Sequence, residues 1–427
     1  MILSLVVLPA LLLVFGLPIF FVLLSSSLLT IVFFMNIPLS AVHQNLLGSI
    51  SSTGLLAVPF FIFAGELMSR GTISARLVDF VKSIFGRLPG ALGVTTVGTA
   101  TLYGAISGSS AASVVSVGKV MLPALRKGGY SEKMSGGMIA SVSAIGIIIP
   151  PSVPMIIYGA ASETSIPRLY AAGVFPGLLL AIVLSLYVIV VAKKKGIVSQ
   201  FKFSFGRLWQ TFQRAVFALG APCIVLGGIY GGITSPTEAA AIASVYAFFV
   251  TKIIFRELSW KDIFDCARNT VVFSSQILMI VAAAGLYSWI LTVNQIPQEF
   301  VEYINSLGLE VWSFLLIVNL FLLVWGCVLD PMAAILLLTP ILIPIVDSLG
   351  IDKVHFGIIM TLNLAIGLFT PPFGINIYVA QSVLSMKIKD LFIGVFPFFI
   401  IFLIVLVFVT YIPQISLGSM SFFMAEK

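Results

Sequence analysis

Gly146-Ile-Ile-Ile-Pro-Pro-Ser-Val-Pro154 and Gly367-Leu-Phe-Thr-Pro-Pro-Phe-Gly-Ile-Asn376 occupy the same place in two diverged copies of one segment. Residues 104–160 and 325–381 align without a gap at a constant offset of 221 (325 minus 104). Pro123 falls on Pro344, Gly129 on Gly350, Gly146 on Gly367, and Pro150-Pro151 on Pro371-Pro372. The shared residues are helix breakers inside apolar sequence. Proline removes a backbone donor and disfavours helix at the residue before it. Each doublet is therefore expected to break its helix and free the carbonyls of residues 146–149 and 367–370. Spanning helices interrupted at matching places in two halves mark a secondary transporter built from repeats.

The surrounding composition supports a membrane setting. Of 427 residues, 59% are hydrophobic and 9% charged, against about 25% charged in soluble domains. The fold class is all-α and polytopic, because a spanning segment must satisfy its own backbone polar groups. Long apolar runs without alternation exclude a β-barrel. The net charge of +7 sits in short loops, as the positive-inside rule expects, and does not point to nucleic acid. Residues 1–34 contain no Lys or Arg, so they read as retained spanning sequence rather than a cleaved signal. Cys223, Cys266 and Cys327 are scattered without CxxC spacing and read as apolar packing. The two histidines, His43 and His355, form no metal or nucleophile motif, so an enzyme is not expected.

Charge sorts the segments by side. Residues 1–34 read as one tilted helix, or one broken near Pro18, and residues 51–68 as a second span. A basic stretch (Arg70, Arg76, Lys82, Arg87) precedes an uncharged run from Leu88 to Val117, and Lys119, Arg126, Lys127 and Lys133 follow it. A segment that leaves a basic loop and returns to one is either a pair of short crossings or a re-entrant hairpin with its tip at Ser107–Ser110. Residues 198–215 and 258–268 read as amphipathic helices lying in the interface. Ser235, Pro236 and Glu238 have the spacing of a capping box opening a helix. Residues 270–293 cross once. The second hairpin region, 312–346, is flanked by Glu299, Glu302, Glu310, Asp347 and Asp352. Basic flanks on one hairpin and acidic flanks on the other place their bases on opposite faces, which makes the repeat an inverted one. A last span covers 391–411.

Three places offer chemistry. The run Gly104-Ala-Ile-Ser-Gly-Ser-Ser-Ala-Ala-Ser113 supplies small residues and hydroxyl oxygens, which suit either a cation site or close helix packing. Asp330 is the lone carboxylate between Glu310 and Asp347. A carboxylate near the middle of a bilayer costs at least about 2.5 kcal/mol, so it needs a partner. Before Pro331 it also suits an N-cap, and one oxygen can cap while the other binds a cation. The repeat sets Ser109 opposite Asp330. Finally, the helices that restart after the proline doublets present N-termini able to hold a carboxylate, with Ser152, Thr370 and Asn376 adding side-chain oxygens.

On the Gly104–Ala112, Gly146–Pro151, Thr234–Ala240 and Gly367–Asn376 motifs the whole chain resembles the large membrane (M) subunit of TRAP, or tripartite ATP-independent periplasmic, transporters. That resemblance implies an elevator-type fold in the bacterial inner membrane with two re-entrant hairpins and two broken helices. The implied division is scaffold helices in 1–87, first transport repeat in 88–161, and scaffold with arm helices in 162–293. The second transport repeat follows in 297–385, and a C-terminal helix and tail in 386–427. It implies a Na⁺-coupled importer of an organic acid, sialic acid first and C4-dicarboxylates or keto acids next. The implied partners are a separate small four-helix (Q) subunit and a periplasmic substrate-binding (P) protein. No cofactor is implied beyond Na⁺ as coupling ion. The implied first sodium site uses Ser107, Gly108, Ser109, Ser110, Gly146, Ile149 and Pro150. The second uses Gly326, Val328, Asp330, Gly367, Phe369 and Thr370. Substrate would meet Ser109, Pro151, Ser152, Pro372 and Asn376. The rival readings are a stand-alone divalent anion–sodium symporter and a passive channel.

Overall fold

A computed structural model of the chain describes residues 3–35, 37–197 and 203–424. Among them every regular element is a helix. Among the described residues six helices are long and apolar enough to cross a membrane, by length and composition. The pair Leu39–Ile50 and Thr53–Ser69, bent by 55°, makes a seventh candidate.

The two repeats correspond element for element in the sequence register. Hairpin 1 consists of Ala91–Ser107 and Ser110–Lys127; hairpin 2 consists of Val311–Gly326 and Pro331–Ser348. Each is followed by a broken helix. The first has halves Glu132–Val142, extended by a 3₁₀ turn to Ile147, and Val153–Ala161; the second has halves Lys353–Gly367 and Ile375–Leu384. The caps also correspond. Ser131 accepts the N–H of Met134, and its counterpart Asp352 accepts those of Val354 and His355. A side-chain oxygen at these positions satisfies N–H groups that a new helix leaves without partners.

Helix Ile388–Tyr411 shows that the hairpins enter from opposite sides. Its 24 residues rise about 36 Å. At its start Asp390 lies 3.9 Å from Lys133, beside the base of hairpin 1. At its end the Tyr411 hydroxyl donates to the carbonyl of Trp312, at the base of hairpin 2. Each tip rests on the middle of a crossing segment. A Cβ on Gly104 would stand 2.3 Å from the Cα of Gly146, and one on Gly367 would stand 2.1 Å from the Gly326 carbonyl oxygen. Backbone therefore meets backbone at both tips, which only glycine allows. The hairpins are re-entrant, and the repeat is inverted.

The repeats interlock. Ser110–Lys127 packs on Ile375–Leu384, and Pro331–Ser348 packs on Val153–Ala161. The amide of Asn376 joins them at one end, and the Tyr158 hydroxyl, donating to Lys353 O at 2.7 Å, joins them at the other. Around this body stand Ile19–Phe34, Ala57–Ser69, Phe205–Tyr230, Pro236–Phe248 and Trp260–Val293, which pack largely on one another.

The structure differs from the sequence reading in the flanking helices. Residues 205–215 of the expected interfacial helix 198–215 continue without a break into Phe205–Tyr230, while 198–202 lie outside the described residues. Residues 260–268 likewise open the 34-residue helix Trp260–Val293. The first helix runs on through Gly220 and Pro222, and the Ser259–Asp262 capping box starts the second one early. The capping box at Ser235 and Glu238 forms as read. The helices Leu39–Ile50, Ile73–Phe85, Ile296–Ser306 and Gln414–Phe423 had no counterpart in the reading.

Candidate transport site

At the tip of hairpin 1, Gly108 takes a left-handed backbone (φ +58), and a Cβ there would stand 2.9 Å from the Pro151 carbonyl oxygen. This turn lets Ser109 cap the second arm by accepting the N–H of Ala112. In hairpin 2 the capping residue is Asp330, whose Oδ2 accepts the N–H of Met332 at 3.0 Å.

Both tips line one cavity of about 1140 Å³. Ser107, Gly108, Ser109 and Ser110 form one wall and Asp330 with Pro331 another. Leu368, Ile375 and Tyr378 of the second broken helix close it on that side. Glu66 and Ser69, with Arg268, Asn269 and Phe273, face it from the surrounding helices Ala57–Ser69 and Trp260–Val293. Its far end, at Ser69, Arg268 and Ser382, adjoins the loops carrying Arg70 and Lys387. That is the basic face, cytoplasmic by the positive-inside rule.

The other candidate residues do not line the cavity. Gly146 and Gly367 are the tip contacts described above. Ile149 is buried against Gly177, and Pro150 and Pro151 are buried with it. Ser152 is fully buried; its hydroxyl donates to Ile147 O and accepts the Met155 N–H. Phe369 is buried against the ring of Phe402, with centroids 4.8 Å apart. The Thr370 hydroxyl donates to Ile366 O at 2.6 Å. Val328, Pro371 and Pro372 are exposed. Asn376 is fully buried and uses its whole amide: Nδ2 donates to Ser110 Oγ (2.7 Å) and Ala140 O (2.8 Å), and Oδ1 accepts from Ser110 Oγ (3.0 Å). The expected free carbonyls are only partly free, since those of Leu368 and Thr370 accept the N–H groups of Asn376 and Gly374.

Sequence reasoning passed over several polar residues. Asn363 donates to Asn319 Oδ1 at 2.7 Å, Asn319 donates to Thr410 Oγ1, and the Asn363 Oδ1 is buried without a donor. Both asparagines are isolated amides within apolar helices, and that isolation was the available signal. Glu66 and Arg268 had none, because distant segments place them at the cavity. Among the described residues no three His, Cys, Asp or Glu side chains gather as a transition-metal site. The oxygens at the tips are instead hydroxyl, carboxylate and carbonyl, which suit a hard cation.

Two inverted repeats whose hairpin tips share one cavity define a secondary transporter. The family profile described as "Tripartite ATP-independent periplasmic transporter, DctM component" matches residues 5–415, and the chain belongs to that family. It is 40% identical over 412 residues to the isethionate TRAP transporter permease protein DctMQ of Oleidesulfovibrio alaskensis, covering 96% of this chain and 64% of that longer protein. It is 38% identical to the C4-dicarboxylate TRAP transporter large permease protein DctM of Pseudomonas aeruginosa, over 92% of both chains. It is 35% identical to the sialic acid TRAP transporter large permease protein SiaM of Vibrio cholerae, over 94% of both. The solved YdaH transporter of Alcanivorax borkumensis has the same fold at a TM-score of 0.67 and 14% identity, covering 96% of this chain and 99% of that one. The chain is thus a multi-pass permease of the bacterial inner membrane, and its relatives are transporters rather than enzymes.

Proposed function

We propose that this chain is the membrane-translocating subunit of a Na⁺-driven importer of a small organic acid. It works with a small four-helix membrane subunit and a periplasmic protein that delivers the acid. The observation that supports this most is the meeting of Ser109 and Asp330, equivalent residues of two inverted repeats, at one cavity. Each tip offers oxygens to a cation beside a broken helix. An acid between the tips would face the helices that restart there, whose N-termini favour negative charge. Importing one negative charge against an inside-negative potential costs about 2.3 kcal/mol per 100 mV, and two or more Na⁺ entering with it reverse that sign. The interlocked repeats move as one body against the scaffold, carrying the tips from one face to the other.

The substrate is best sought among the acids of the relatives, whose names cover isethionate, C4-dicarboxylates, ectoines and sialic acid. Nothing sets sialic acid ahead of the others. The test is uptake of each labelled compound into proteoliposomes holding the chain with its small subunit. Binding protein is added outside, with and without an inward Na⁺ gradient. One compound should accumulate only with both Na⁺ and binding protein. Uptake without binding protein would support the stand-alone symporter instead, and equilibration without Na⁺ would support a channel.

A further inference from the structure

Three charged residues line the transport cavity: Asp330 on hairpin 2, Glu66 on Ala57–Ser69, and Arg268 on Trp260–Val293. Arg268 is the single cation among them. Glu66 receives a hydrogen bond from Asn269 at 3.4 Å. One turn of helix away, Arg70 is held between Asp262 and Asp265 at 3.7 and 3.6 Å. Arg268 is exposed, and among the described residues no carboxylate pairs with it. The carboxylates of its own helix are thus committed to Arg70, and its guanidinium stands at the basic-face end of the cavity.

We propose that Arg268 is an anion contact on the release side of the transport path, holding the acid after it leaves the hairpin tips and before it enters the cytoplasm. This rests on the organic-acid reading above. Guanidinium presents a rigid fork of donors that matches a carboxylate or sulfonate in two parallel hydrogen bonds. At the open end of a cavity walled largely by apolar side chains, it is the one positive group facing the acid. Its position on the scaffold matters most. A cation on the moving body would bind cargo equally at both faces and shift nothing, whereas one on the scaffold adds affinity only when the cavity opens as it does here. Arg268 therefore sets how strongly cytoplasmic acid rebinds and slows the cycle, without affecting capture from outside.

The experiment uses the three-part proteoliposomes and whichever acid passes the uptake panel. Binding protein added only outside selects transporters of one orientation. The lumen is preloaded with rising concentrations of unlabelled acid, and the concentration that halves uptake is compared between wild type, Arg268→Gln and Arg268→Lys. Arg268→Gln should raise it about tenfold, as expected for losing a charged hydrogen-bond partner. Arg268→Lys should raise it by less, and the outside half-saturation should stay within about twofold. Co-purification with the small subunit reports folding; if the Gln variant fails there, the Lys variant is read alone. Unchanged inhibition from inside overturns the inference, as expected of an arginine that only anchors its helix at lipid headgroups. An equal shift on both sides overturns it too. A wild type that accumulates no acid overturns the transport reading itself, which the variant arm does not address.

Discussion

In the first repeat the gap between the half-helices lies under Ile166–Lys194, where Gly173 meets the Ile148 carbonyl and Gly177 meets Ile149. In the second repeat Pro371, Pro372 and Phe373 are exposed. Hairpin 1 is covered as well: Ile73–Phe85 packs along it, and Gly65 of Ala57–Ser69 lies against the Ser107 backbone. The first arm of hairpin 2 leaves Trp312, Leu320 and Val324 exposed. Yet inside each repeat the contacts match, glycine on backbone at the tip and an oxygen cap on the second arm. What a duplicated segment must keep is the geometry of its break; what it is free to change is the chemistry, because its two surroundings differ. The capping oxygens follow this rule. Ser109 and Ser131 in the first repeat become Asp330 and Asp352 in the second.

If the tips are equivalent in form but not in charge, the largest difference should come from replacing their caps. Asp330→Asn keeps a capping oxygen and removes the charge. It is expected to lower Na⁺-driven uptake by about 100-fold or more, the loss of a charged ligand in a poorly screened site. Ser109→Ala removes a neutral hydroxyl and a cap worth about 1 kcal/mol, so about fivefold is expected. Uptake rates across a Na⁺ titration in proteoliposomes check both. Equal losses would show that the charge difference between the repeats has no part in coupling.

Next come the tip glycines. A Cβ on Gly367 would stand 2.1 Å from a carbonyl oxygen, but one on Gly146 would stand 3.0 Å from the nearest Cα. Gly367→Ala should destabilise the detergent-solubilised protein by up to about 3 kcal/mol, and Gly146→Ala by clearly less. Thermal unfolding followed by size-exclusion recovery gives the order. The reverse order would mean that the exposed second break yields more easily than the covered one.

Asn376 tests whether the repeats act as one body. Asn376→Ala leaves Ser110 and the Ala140 carbonyl without their shared partner, at about 2 kcal/mol. The variant should lose stability, and its dependence on Na⁺ should become less steep, because the first tip would no longer be tied to the second break. A Na⁺ titration with the wild-type Hill slope would show that the link is structural only.

Much of this architecture was legible from the breakers. The offset of 221 placed both hairpins and both broken helices, because the glycine-bearing tips and the proline doublets act locally, whereas the aligned single prolines Pro123 and Pro344 stay inside unbroken helices. Charge at the flanks assigned the sides for the same reason. The flanking helices were harder. Arg207 and Trp209 look interfacial on their own, but their helix continues through Gly220 and Pro222, so residues 205–230 form one element. Among the site residues, Ser109 and Asp330 were readable from their spacing to the helix starts. Arg268 and Glu66 were not, since their place at the cavity depends on packing between segments about 200 residues apart (268 minus 66). The covering of one break and exposure of the other is likewise a property of tertiary packing alone.

The smallest effect concerns the cover of hairpin 1. Glu257, in the loop between Ile254 and Trp260, fastens the start of Ile73–Phe85: it accepts the Thr72 N–H at 2.7 Å, the Thr72 hydroxyl, and Arg76 at 3.0 Å. The Arg76 guanidinium also lies 3.8 Å from the centre of the Phe255 ring. Burial alone would raise the pKa of Glu257, but the Thr72 and Arg76 hydrogen bonds outweigh it and hold the carboxyl below the usual range. A depressed carboxyl pKa contributes stability that is complete above the unfolded value of about 4.3 and is lost as pH falls through the folded value. Wild type should therefore be more stable than Glu257→Gln at pH 7, by about 1 kcal/mol or less because the pair is near the surface. The difference should shrink below about pH 4.3 and then vanish. Melting temperatures of both proteins from pH 7 down to about pH 3.5 in detergent measure it. A gap that stayed constant with pH would assign the fastening to shape rather than charge, and the covered hairpin would then be held by packing alone.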